Sequence, residues 1–305
     1  FRKPISLIVI LVFAFSFAQT EYKTESNISY YPEKISNADA YISSQCKLKF
    51  YYPINVKNFP TVIWFHGGGL TGGNNELPKE LLDENIAVVS VEYRLAPKVK
   101  APAYIEDAAA ATAWVFENIE KYGGNKNLIF QSGHSAGGYL AMMITLDKKY
   151  LQKYKIDADQ IAGLIPFSGQ AITHFQIRKE QGIPELQPTI DQYAPLFHVR
   201  KDAPPIVLIT GDRELELFGR YEENAYLARM LNLVKHPSTK LLEEDGFDHV
   251  SMAQPAFHLL KKEVRELTKK IKTQKNYNDV YITTDSRCAF QRRKRKRIPT
   301  IRKND

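Results

Sequence analysis

Cysteine is scarce in this chain: two in 305 residues, Cys46 and Cys288. That leaves room for a single bridge at most, with one partner on a probable strand and the other in a tail unlike the rest, so the fold has to rest on its core. Long apolar runs are also missing. The best, Ile5 to Phe15, falls short of the roughly 20 residues that span a bilayer, and no cysteine follows it to take a lipid. No internal repeat and no boundary between domains is visible. Acidic residues are outnumbered, giving a net charge of +8, but the excess is local. Residues 276–305 hold nine basic and three acidic residues, and Arg2 and Lys3 account for the remainder, so the body is near neutral. The tail's basic run lacks interleaved aromatics and a folded basic face, which argues against nucleic acid and for a solvated, disordered segment over 275–305.

What remains is the composition of an ordinary globular protein, 44% hydrophobic with 16 Gly and 16 Pro, long enough for one large α/β domain. Residues 1–18 read as a secretory signal peptide: Arg2 and Lys3, an apolar stretch, then small residues at Ser16 and Ala18. The expectation is an exported protein without stable membrane insertion, whose folded domain covers 19–274.

Within that domain, apolar or alternating runs predict strands at Leu48–Tyr52, Thr61–Phe65, Ile86–Val91, Leu128–Ser132, Ile161–Ser168 and Ile206–Thr210, with one more ending at Leu242. Helices are expected at Leu77–Leu82, Tyr104–Tyr122, Tyr139–Met143, Glu222–Leu233 and Pro255–Lys272. Strands alternating with helices argue for a mostly parallel, twisted sheet covered by helices on both faces, with functional residues at the C-terminal ends of strands. Residues 19–45 give weak signals. Residues 171–200 have no clear period and fit a small cap over the site.

The chain is organised around Gly133-His134-Ser135-Ala136-Gly137, a G-x-S-x-G sequence between a buried strand and a buried helix. A serine on so sharp a turn is held in a strained backbone, and its neighbours two residues away must be nearly free of side chain. A serine hydroxyl is a weak nucleophile and needs a base. Of seven histidines, His249 lies after the last strand and before the last helix, where such a base belongs. His134, inside the motif, is expected to point away from it. An oxyanion requires convergent backbone N–H groups. Gly67 and Gly68 of His66-Gly67-Gly68-Gly69, with Ala136 after the serine, are the candidates. A phosphate-binding loop is excluded because neither a Lys-Ser/Thr ending nor G-x-G-x-x-G spacing is present.

These motifs, with Tyr93-Arg94-Leu95-Ala96-Pro97, Pro102 and Asp107, make the chain resemble the α/β-hydrolase superfamily. Within it, the similarity is to hormone-sensitive-lipase-like esterases and their feruloyl-esterase and arylformamidase relatives, over about residues 45–272. The resemblance implies hydrolysis of carboxylic esters through an acyl-enzyme, without metal or cofactor. The third member of the triad stays open. Hydrolases of this kind commonly carry Gly-x-x-Asp after the strand, which registers on Glu214, so the expectation is Ser135–His249–Glu214, with Asp212 and Glu216 as rivals. The small-molecule ester is expected to be short in its acyl part, and export suggests acylated carbohydrate. An amide-cleaving arylformamidase type and an inactive binding protein are the competing readings. Oligomeric state is not legible.

Overall fold

The computed structural model describes residues 19–295, the last twenty by their backbone. The signal-peptide reading of 1–18 and the final ten residues lie outside the described residues. Eight strands form one sheet: β1 (Tyr22–Ser29), β2 (Lys47–Pro53), β3 (Phe59–Phe65), β4 (Ala87–Val91), β5 (Gly124–His134), β6 (Gly163–Phe167), β7 (Ile206–Gly211) and β8 (Thr239–Glu244). Their order is β1-β2-β4-β3-β5-β6-β7-β8. β1 and β2 pair antiparallel, as do β2 and β4, and every later pairing is parallel. The helices are α1 (Glu33–Ala38), α2 (Ala40–Gln45), α3 (Ala103–Asn118), α4 (Ala136–Leu146), α5 (Lys149–Gln152), α6 (Phe175–Glu180), α7 (Arg220–Leu233) and α8 (Ala253–Arg295).

The strands' period of two sorts their apolar side chains between two cores. Ile63, Val89, Ile129, Leu164 and Leu208 pack with α3, α4 and α7 on one face. Val62, Val88, Phe130, Ile165 and Ile209 pack with Met252, just before α8, and with Ala256, Leu260 and Val264 of α8 on the other. A sheet buried on both sides in this way is the parallel, doubly covered sheet expected from the sequence.

Two expectations are revised. The stretch Leu77–Leu82 is a short 3-10 turn at Lys79–Leu81, not an α-helix. The last helix does not stop at Lys272: α8 continues to Arg295. The cause is local. Between Pro255 and Pro299 the sequence has neither glycine nor proline, so no breaker ends the helix. Among the described residues no helix is long and apolar enough to cross a membrane.

The parallel register aligns the strand ends. Phe65 is level with Gly133, His134 with Phe167, and Gly211 with Glu244. The segments following β3, β5, β6, β7 and β8 therefore emerge along one edge of the sheet.

Candidate active site

At the end of β5 the chain turns directly into α4, and Ser135 occupies the turn with φ 55° and ψ −115°. Its N–H donates to Phe167 O at 2.8 Å, so the turn is fastened to the neighbouring strand. The flanking glycines are sterically required. A Cβ on Gly137 would lie 1.9 Å from Phe65 O, closer than any side chain tolerates.

His249 comes from the loop between β8 and α8. Its Nε2 is 2.9 Å from Ser135 Oγ, and its Nδ1 is 2.8 Å from Glu216 Oε2. Both residues are largely buried, Ser135 at 9% exposure and His249 at 7%. With a carboxylate at Nδ1, the proton sits there and Nε2 is left as the acceptor for the serine proton.

The carboxylate is where the sequence-based expectation fails. Glu214 is exposed and its backbone N–H donates to Asp212 Oδ1 at 2.9 Å; its carboxylate does not reach His249. Asp212 is also elsewhere, accepting from Gly246 N at 2.8 Å and so tying the acid loop to the base loop. The reason is one helical turn after β7. Leu215 N and Glu216 N both donate to Asp212 O at 2.9 Å, which puts residue 214 outside and swings residue 216 back beneath the strand end. Arg213 pairs with Glu243 at 2.6 Å.

Glu216 is closely held. Its Oε1 accepts from Gly211 N at 2.9 Å and from the Ser168 hydroxyl, and its Oε2 from Leu217 N at 3.1 Å besides the imidazole. Burial alone raises a carboxyl's pKa, but bonds from His249, Ser168 and Gly211 outweigh it and bring Glu216 down to about 2. Ser168 was not anticipated. It has φ 47°, follows β6, and its Oγ lies 3.2 Å from His249 Nδ1. Its position just past a strand end is the signal that it shared with the other site residues.

His134 also departs from expectation. It does not point away from the base: its Nε2 donates to His249 O at 2.7 Å, with ring centroids 4.9 Å apart. Burial, then the neighbouring His249, lowers its pKa to about 4, so it is a neutral donor.

The glycine loop runs alongside. A Cβ on Gly67 would lie 3.5 Å from Ser135 Cβ, and Gly68 has φ 108°, a conformation open to glycine. Tyr93 supports the loop, its hydroxyl donating to His66 O at 2.8 Å and its ring stacked on His66 at 4.3 Å. Arg94 in turn is anchored on the fully buried Asp107 through Nε at 2.9 Å and Nη2 at 2.7 Å. Among the described residues no group of three or more His, Cys, Asp or Glu is placed to hold a metal.

The sequence family BD-FAE matches residues 48–175, which run from β2 through the glycine loop and the elbow to the start of α6. Lipase 2 of Moraxella sp. (strain TA144) is 33% identical over 135 residues, 42% of this chain and 31% of that protein. Carboxylesterase NlhH of Mycobacterium tuberculosis (strain ATCC 25618 / H37Rv) is 37% identical over 103 residues, 32% of each chain. The chain thus spans about a third of the length of these curated relatives. Among solved structures, a truncated form of a carbohydrate esterase from gut microbiota superposes with a TM-score of 0.67 at 16% identity, covering 83% of this chain and 99% of that one. At that identity the likeness is one of fold. The chain has the α/β-hydrolase fold. Its sequence is similar to esterases and lipases over part of its length, and the motifs singled out in the sequence now have physical roles. Tyr93 braces the glycine loop through His66, Arg94 is fastened to Asp107 at the start of α3, and the elbow glycines let the serine turn pass beneath β3.

Proposed function

We propose that this protein cleaves carboxylic esters through an acyl-enzyme on Ser135. The observation that carries the reading is the continuous chain Ser135 Oγ–His249 Nε2 and His249 Nδ1–Glu216, at 2.9 and 2.8 Å, on a serine held at φ 55°. His249 takes the serine proton as Oγ attacks the ester carbonyl, and the ionised Glu216 stabilises the imidazolium. The oxyanion is received by backbone N–H groups of Gly67, Gly68 and Ala136, where one donor is typically worth about 3–4 kcal/mol in the transition state. His249 then protonates the leaving alcohol and activates water to release the acid.

A short acyl group suits the site, because the Phe175 ring stands 3.0 Å from where a Cβ on Gly69 would be and narrows the space beside the glycine loop. The same contact supports residues 171–200 as the cap. An acylated carbohydrate is the substrate class favoured by the export reading of residues 1–18, and the carbohydrate-esterase neighbour is compatible with it. The test is hydrolysis of p-nitrophenyl acetate, butyrate and octanoate beside Ser135→Ala, followed by acetylated oligosaccharides. Turnover falling with acyl length and abolished by the substitution supports the reading. Full activity in Ser135→Ala overturns it.

A further inference from the structure

Resting on that reading, we infer that His134 is a positioning residue for the base, holding the main chain of His249 so that its ring meets Ser135. The loop carrying His249 is otherwise exposed, with Phe247 at 38% and Val250 at 73% exposure. Its internal bonds, from Val250 N at 3.0 Å and Ser251 N at 2.8 Å to Asp248 Oδ1, fix its shape but not its distance from the elbow. Asp212 links it at the far side to the acid loop.

The elbow itself grips residue 249 at two points. Ser135 meets its ring, and the preceding residue, His134, donates to its carbonyl at 2.7 Å. His134 is the last residue of β5, paired in register with Phe167, so the donor stands on the rigid part of the scaffold. Its other side faces the glycine loop, where a Cβ on Gly67 would lie 3.2 Å from His134 Nδ1. One ring is thus wedged between the oxyanion loop and the base loop. Its charge state suits the role. Burial, the His249 ring and Arg220 oppose protonation and outweigh the hydrogen bond to the His249 carbonyl and the Glu216 carboxylate, which favour it. A neutral ring keeps its Nε2–H without placing a second cation beside the imidazolium that forms during acylation.

The test uses two substitutions: His134→Met, which keeps volume and removes the donor, and His134→Gln, which keeps an N–H donor. Loss of alignment by about 1 Å costs on the order of 100-fold in rate. We expect His134→Met to lower kcat on p-nitrophenyl acetate by about 10- to 100-fold with KM little changed, and His134→Gln to recover most of it. Amide hydrogen exchange over 247–251 should rise in His134→Met and return in His134→Gln, a readout independent of turnover. Wild-type kcat and unchanged exchange in His134→Met would overturn the inference. So would equal losses in both variants that track their melting temperatures. An inactive wild type whose loop still loosens in His134→Met would instead count against the ester reading and leave the clamp standing.

Discussion

At the scale of single residues, the account turns on which carboxylate faces His249. The glycine spacing points to Glu214, and one turn of helix after β7 overrides it, because Asp212 O collects the N–H groups of residues 215 and 216. A count of residues past a glycine cannot register that turn; only the path of the backbone does. The prediction is direct. Glu216→Gln should lower kcat by roughly 10³- to 10⁴-fold, as expected for losing the group that orients and stabilises the base. Glu214→Gln should stay within about twofold, as for an exposed substitution away from the site. Steady-state kinetics of the two purified variants, side by side, checks both. A large loss in Glu214→Gln with a small one in Glu216→Gln would reverse the assignment. Ser135 and His249 were legible because each is bound to an element boundary that the sequence marks strongly. Ser168 and His134 act through contacts 81 and 115 residues away in sequence, which no local pattern encodes.

The elements show the same division. Central strands announce themselves through continuous apolar runs, such as Ala87–Val91, buried at every position, and they were readable for that reason. β1 was not. It is an outer strand with no buried position, its register shifts between Glu25 and Ile28, and Asn27 takes φ 59°. A bulge in an exposed edge strand erases the period that sequence reading depends on. The alanine-rich α3 is buried almost all round from Tyr104 to Ala113. It lies in the core cluster shared with α4 and the sheet, and its small residues suit so close an approach. The 171–200 segment has no period because what holds it is specific. Glu223 accepts from Ala171 N at 3.0 Å, and Tyr193 O accepts from the Tyr139 hydroxyl at 2.8 Å.

For the whole molecule, the site leaves a signature in stability against pH. His134 titrates near 4 when folded and near its ordinary value of about 6.5 when unfolded. Between those values the unfolded chain binds the proton and the folded one does not, so stability present above pH 6.5 declines as pH falls towards 4, by about 1.4 kcal/mol per unit for this one group. His174, fully buried and also pushed down by burial, adds to the slope in the same direction. Glu216 titrates near 2 when folded, below the 4.5 of a free carboxyl. Its contribution is therefore present above pH 4.5 and is lost as pH falls from there to 2. Urea unfolding at pH 7, 5 and 3 should show His134→Gln with a shallower decline between 7 and 5. Glu216→Gln should be shallower only below that. Identical slopes in wild type and His134→Gln would contradict the buried, neutral state assigned to that ring.

The central claim is that this fold activates one serine among all those in the chain. Intact-mass measurement after exposure to a small fluorophosphonate, with peptide mapping of the adduct, tests it most directly. The account predicts one adduct per chain, on Ser135, absent from Ser135→Ala and strongly slowed in Glu216→Gln. No adduct on the folded wild type, or an adduct that persists when Ser135 is replaced, would contradict it.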